Sequence, residues 1–178
     1  MFYFIFGNYV FKQVIGRNRS PGFADKDEMH YTNAFIQESY RLVSFAYFSV
    51  PHYASADITI GDYIIPKGAG IFPSLINVMY DPNHFPDPHS FKPERFLDEE
   101  GKYKHDDRVI PFGVGKRYCL GQTLAEKEVF LFLVGMLQKF DITPAAMEKL
   151  PSYHIEDHPP INFLRTCPKY KMILNLRY

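Results

Sequence analysis

A cysteine, an arginine and three glycines stand at short fixed offsets in residues 111–125, Pro-Phe-Gly-Val-Gly-Lys-Arg-Tyr-Cys-Leu-Gly-Gln-Thr-Leu-Ala, and an apolar helical stretch follows directly. Gly113 and Gly115 free the backbone to take positive φ and to lie close against something flat. Cys119 stands at the mouth of the helix, where free N–H groups and the positive dipole end favour a thiolate. Gly121 removes a side chain where the first turn would crowd a bound group. A thiolate in such a loop, with Arg117 two residues before it, suits an iron porphyrin. The sulfur would bind the iron, and the guanidinium would pair with a propionate carboxylate. The competing reading of Cys119 is an inert buried thiol at a helix start, since free cysteines are commonly buried.

The elements that must position this loop are legible in outline. The chain has 178 residues, enough for one domain with a core. Its formal net charge is zero, which gives no field that would draw nucleic acid. Fourteen prolines call for long irregular connections beside the helices. The two cysteines, Cys119 and Cys167, supply neither a disulfide framework nor zinc spacing. The longest apolar run, 129–137, falls far short of the roughly 20 residues of a membrane span. Residues 1–10 are apolar but lack a leading positive charge and a cleavage site. They read as the stump of a buried helix or, preferably, as the translation of a misplaced exon.

After a polar break at Ser20-Pro21-Gly22, Thr32 can cap a largely buried helix over 33–44, in which Glu38 and Arg41 share a face. Pro51 forces an extended path into His52. Residues 57–74 alternate around turns at Gly61-Asp62 and Lys67-Gly68 and predict one small antiparallel sheet. A short helix is expected near 75–79. Four prolines between 82 and 93 then exclude helix and central strand. His84 and His89 read as structural loop histidines. Residues 120–140 predict one long helix whose middle is apolar all round and therefore buried. Prolines at 151, 159 and 160 argue against a helical ligand pair at His154 and His158.

Phe112, Gly113, Gly115, Arg117, Cys119 and Gly121 resemble the haem-binding signature of cytochromes P450, F-x-x-G-x-R-x-C-x-G. Further runs are similar to microsomal family-2 members: Val-Ile-Gly-Arg before an Asn-Arg-Ser-Pro loop, Glu38-x-x-Arg41, Gly-Asp-Tyr-x-Ile-Pro-Lys-Gly at 61–68, Pro-Glu-Arg-Phe at 93–96 and Leu-Ala-x-x-Glu-x-Phe-Leu at 124–131. Glu126-Lys127 departs from the basic-then-apolar pair common there. The resemblance runs from about residue 11 to 178. It implies a mainly α fold with small antiparallel β-sheets (α+β), the C-terminal part of the P450 fold: K helix, β-region, meander, cysteine-ligand loop, L helix and closing β-turn.

The resemblance also implies roles. Cys119 would be the axial ligand of haem b (iron protoporphyrin IX), Phe112 would shield its sulfur, and Arg117 and His52 would hold propionates. Glu38, Arg41 and Arg95 would form a buried structural triad that locks the loop carrying Cys119. Phe48, Val50, Phe163 and Leu164 would line the substrate pocket, with Phe163 and Leu164 at the tip of the closing turn. The reaction would be insertion of one oxygen atom of O2 into a small apolar substrate. Electrons would come from an NADPH-dependent flavoprotein reductase, with Lys116 and Lys127 as contacts. The oxygen-activating residues are expected upstream, so no catalytic residue is assigned within this chain. Relatives sit on the cytosolic face of the endoplasmic reticulum membrane through an N-terminal anchor that these 178 residues lack. The alternative is a non-catalytic fragment that binds haem or a partner.

Overall fold

The computed structural model describes residues 14–145, 150–153, 157 and 164–177. Its first long element is α1 (His30–Leu42), which begins two residues before the expected cap. A 3-10 turn, Phe23–Glu28, feeds straight into it through Met29, and Asn33 Nδ2 donates to the Lys26 carbonyl at 2.7 Å. That junction starts the helical ladder early, with the Asn33 N–H bonded to the Met29 carbonyl at 3.0 Å. Thr32 is consequently inside the helix and buried. Its hydroxyl caps nothing and has no hydrogen-bond partner among the described residues. The helix ends at Leu42, so Val43 is its exposed C-cap rather than part of the buried face.

Arg19 clasps the entrance to this junction. Its guanidinium donates to Asp25 at 2.6 and 2.8 Å, and the Gly22 N–H adds a bond at 2.8 Å. These contacts, the guanidinium first, hold the Asp25 carboxyl down at about 2. An unfolded aspartate titrates near ~4. A depressed carboxyl stabilises the fold fully above that value and loses its contribution as pH falls through the folded one. Protection of the Gly22 and Asp25 amides, measured against their intrinsic exchange rates at each pH, is therefore expected to fall between about pH 4 and pH 2. In Arg19→Ala the same amides should exchange fast already at neutral pH. Unchanged exchange in that variant would show that the clasp does not hold the turn.

The expected single sheet over 57–74 is instead two separate ribbons. β1 (His52–Tyr53) pairs antiparallel with β4 (Gly70–Ile71), and β2 (Ile58–Ile60) pairs with β3 (Tyr63–Ile65). The second ribbon turns on Gly61, whose φ of +58° suits the first position of a two-residue hairpin. α2 (Leu75–Met79) occupies its expected place, capped by the Ser74 hydroxyl. α3 (Gln122–Lys139) runs into β5 (Phe140–Pro144), which pairs antiparallel with β6 (Met172–Leu176). That last pairing joins segments about thirty residues apart and was not foreseen.

One core cluster joins Ile15, Met29 and Ile36 to Phe130, Val134 and Leu137 of α3; a second joins Ala34 to Phe85 and Phe96. The burial expected around the whole middle of α3 is corrected. Positions 130, 134 and 137 form one stripe at helical spacing and meet the core, whereas Phe132 is 70% exposed and Leu124 is also outward. No helix among the described residues is long and apolar enough to cross a membrane.

Candidate functional site

α1 organises the site through two groups of polar side chains. Glu38 and Arg41, three apart, are wholly buried, and the guanidinium grips the carboxylate with Nε–Oε2 at 2.7 Å and Nη2–Oε1 at 2.8 Å. Arg95 reaches Glu38 Oε1 from the 3-10 turn Pro93–Phe96 at 3.2 Å, and the Lys92 N–H joins at 2.9 Å. The remaining guanidinium donors go to main-chain carbonyls. Arg41 bonds Met79, Pro88 and Ser90, while Arg95 bonds Pro86, Asp87 and Ser90. Asp87 takes φ +53°, a left-handed conformation uncommon for a residue with Cβ, where Arg95 holds its carbonyl. The three residues thus come together and fasten residues 79–95 onto α1.

Gln37 and Tyr40, on the next stripe of α1, reach the cysteine loop and its approach. Gln37 Oε1 accepts from the Tyr103 hydroxyl at 2.7 Å, and Gln37 Nε2 donates to the Asp106 carbonyl at 2.8 Å. The Tyr40 ring meets Phe112 edge-on, 5.5 Å between centroids. The triad therefore holds the preceding loop, and its neighbours on the same helix hold the segment that delivers Cys119. Sequence reasoning passed over Gln37. The signal was a glutamine at helical spacing between Asn33 and Tyr40, within a stripe otherwise assigned to the core.

Backbone bonds set the shape of the cysteine loop. The Cys119 N–H donates to the Phe112 carbonyl at 2.9 Å, Gly113 N–H to Ile110 at 3.0 Å and Tyr118 N–H to Gly115 at 3.2 Å. Gly113 and Gly115 take φ of +75° and +73°, so both glycines are required by the turn. Arg117 ends the 3-10 turn Gly115–Arg117 and is exposed. Cys119 is exposed too, which removes the inert buried thiol as a reading. Gly121 precedes α3 with no side chain capping the helix. A Cβ on it would stand 3.7 Å from Cys119 Sγ. A soft sulfur donor, an open face and a glycine beside the sulfur together suit a large flat metal-bearing group.

Gly121 has φ −84°, so any residue fits its backbone, and the crowding is entirely at the sulfur. In a Cys167→Ala background, Gly121→Val is expected to slow disulfide exchange of Cys119 with an aromatic disulfide reagent several-fold. Gly121→Ala, whose Cβ makes an ordinary contact, should react at close to the parent rate. Equal rates for valine and glycine would show that residue 121 does not face the sulfur.

The remaining candidates line the neighbouring edge. A Cβ on Gly113 would lie 3.8 Å from Ser49 Oγ, which places the cysteine loop beside the 48–52 segment. Phe48 bridges to Ser74, Val50 is exposed, and His52 opens β1 opposite Ile71. Leu164 bridges to Ala46 and shares this edge, while Phe163 lies outside the described residues, as do residues 1–10, His154 and His158. Arg165, not singled out from the sequence, anchors the segment that follows the Leu164 bridge. It is buried and donates to the Leu42 and Tyr153 carbonyls at 3.1 and 2.7 Å.

Helix, ribbons and loop define an α+β scaffold that presents one cysteine from a glycine-shaped turn. The family described as Cytochrome P450 matches residues 11–174. Cytochrome P450 2E1 of Oryctolagus cuniculus is 40% identical over 161 residues, 90% of this chain and 32% of that protein. Cytochrome P450 2C3 of the same species is 42% identical over 162 residues, again 90% and 32%. Farnesoate epoxidase of Bombyx mori is 46% identical over 139 residues, 78% of this chain and 28% of that protein. The chain belongs to the cytochrome P450 family, is similar to microsomal family-2 members at about 40% identity, and spans about a third of the length of these relatives.

Proposed function

We propose that this chain forms the cysteine side of a haem-thiolate monooxygenase that inserts one oxygen atom of O2 into a small apolar organic substrate. The observation that carries the reading is the exposed Cys119 in its glycine-shaped turn, with the Gly121 position open beside the sulfur. Haem b, when bound, would supply an iron for O2 chemistry, and a thiolate ligand would donate electron density to that iron. Cys119 Sγ would be that ligand. Phe112, steadied by Tyr40, would exclude water from the sulfur. Arg117 and His52 would hold propionates as charge-assisted donors. Phe48, Val50 and Leu164 would form part of the substrate rim.

The electron donor in this reading is an NADPH-dependent flavoprotein reductase docking on the cysteine side at the cytosolic face of the endoplasmic reticulum. Lys116 and Lys127 are exposed and available to it. The test is uptake of haemin by the 178-residue chain, followed by reduction under CO. A Soret band red-shifted to the position of thiolate-ligated haem is expected. No uptake, or a band at the position of imidazole-ligated haem, would remove the proposal.

A further inference from the structure

Where α1 holds the approach to the cysteine loop, several hydrogen-bonding groups meet, and one of them can change its role. The Asp106 carbonyl can only accept, so the Gln37 side-chain nitrogen must face it, at 2.8 Å. Gln37 Oε1 therefore faces the Tyr103 hydroxyl at 2.7 Å and takes its single hydrogen. One Gln37 N–H then seeks an acceptor, and the Tyr103 oxygen a donor. His105 Nδ1 stands within reach of both, 3.3 Å from Gln37 Nε2 and 3.1 Å from the Tyr103 oxygen. The other ring nitrogen, Nε2, lies 3.2 Å from Asp107 Oδ1, an acceptor only. That carboxylate selects the tautomer with hydrogen on Nε2, so neutral His105 offers a bare Nδ1 and takes the Gln37 N–H.

Protonation reverses the offer. Nδ1 becomes a donor, opposes the Gln37 N–H as one donor against another, and has the Tyr103 oxygen as its acceptor. We propose that His105 is a pH-operated switch on the approach to the cysteine loop: on taking a proton from solvent, it exchanges the Gln37 amide of α1 for the Tyr103 hydroxyl of its own segment. Its side chain is 62% exposed, so the proton has open access. Histidine side chains ordinarily gain that proton between about pH 8 and pH 5. The partners keep their states across this interval. The Arg108 guanidinium beside Asp106 holds its carboxyl below the usual carboxylate range. Burial and, after it, the charges of Glu126 on α3 and of Asp106 push the Tyr103 hydroxyl up to about 12, so it stays a donor throughout. Lys26, from the 3-10 turn, lines the same cleft as His105 and opposes the added charge, whereas Asp106, Asp107 and Glu126 favour it. α1 contributes the neutral Gln37. The switched segment runs on to the Phe112 carbonyl that accepts from the Cys119 N–H, so the exchange loosens the mount of the cysteine loop. The inference does not rest on haem binding.

The test uses the full 178-residue chain, ¹⁵N-labelled and free of haem, titrated across that interval. At its alkaline end, ring spectra should show His105 with hydrogen on Nε2 and none on Nδ1. As the ring takes its proton, the Gln37 side-chain amide signals, assigned with Gln37→Leu, should move along the same curve. Protection of the Val109 amide, which shares the Asp106 carbonyl at 3.1 Å, should fall about twofold against its intrinsic exchange rate. His105 is exposed, so His105→Phe should fold, and both readouts should then stay flat. Tyr103→Phe removes the acceptor of the protonated ring and should weaken proton binding at His105 about threefold. His84→Gln, beside Asp81 on another loop, should leave the Gln37 curve unchanged. Gln37 signals or Val109 protection that ignore pH while the His105 ring titrates would overturn the switch. So would a neutral ring carrying its hydrogen on Nδ1.

Discussion

Cys119→Ala is expected to abolish the red-shifted Soret band of the reduced CO complex while leaving the fold intact. The chain has two cysteines, and both are exposed. Cys167 sits with Sγ 3.5 Å from the Pro168 carbonyl, outside the glycine-shaped turn, so Cys167→Ala should keep the band. The fold should survive because the bonds that shape the loop at Cys119 are main-chain ones. Its N–H bonds Phe112 and its carbonyl accepts from the Gln122 N–H at 3.2 Å, and both remain with alanine. Cys119→His makes the complementary case: haem uptake retained, the band moved to the imidazole position. Far-ultraviolet circular dichroism separates loss of ligand from loss of structure. A thiolate-type band in Cys119→Ala would place the ligand elsewhere and overturn the assignment of Cys119.

The parts that sequence made legible are those governed by a few neighbouring residues. Gly113 and Gly115 announce a turn with positive φ, Gly61 a hairpin, and Ser74 the start of α2, because each acts over one or two peptide bonds. The pairing of Glu38 with Arg41 follows from helical spacing alone. Arg95 joins them from 57 residues away, and the Pro-Glu-Arg-Phe resemblance at 93–96 points to it where no local rule does. Other features depend on what lies across the fold. Thr32 has the chemistry of a cap, but a preceding 3-10 turn that could not be read from pattern extends the helix past it. The apolar middle of α3 says that its faces favour burial; it does not say which face the rest of the chain covers. Gln37 and Arg165 are polar residues among apolar ones, and their value lies in carbonyls and hydroxyls supplied by distant segments.

Glu38→Gln is expected to destabilise the fold by about 3–5 kcal/mol, the cost of leaving a buried charge unpaired. Two carboxylate oxygens accept four donors here: Nε and Nη2 of Arg41, Nε of Arg95 and the Lys92 N–H. Glutamine keeps one acceptor and turns the other into an NH2 group, so at least one donor is left facing a donor in a site with no water-exposed surface on Glu38 or Arg41. Against a typical total of roughly 5–15 kcal/mol, that loss removes a large share of stability. Replacing the pair by two leucines offers no escape of the kind seen for simple buried ion pairs. Arg41 also satisfies the carbonyls of Met79, Pro88 and Ser90, and these would be orphaned with it. Arg95→Ala should cost less, since its side chain is partly exposed and Glu38 retains Arg41. Urea midpoints of the three variants order the effects, and hydrogen exchange across 79–95 should report the same loop coming free of α1. A Glu38→Gln penalty below about 1 kcal/mol, the worth of a surface pair, would mean that the carboxylate is not the anchor of this loop.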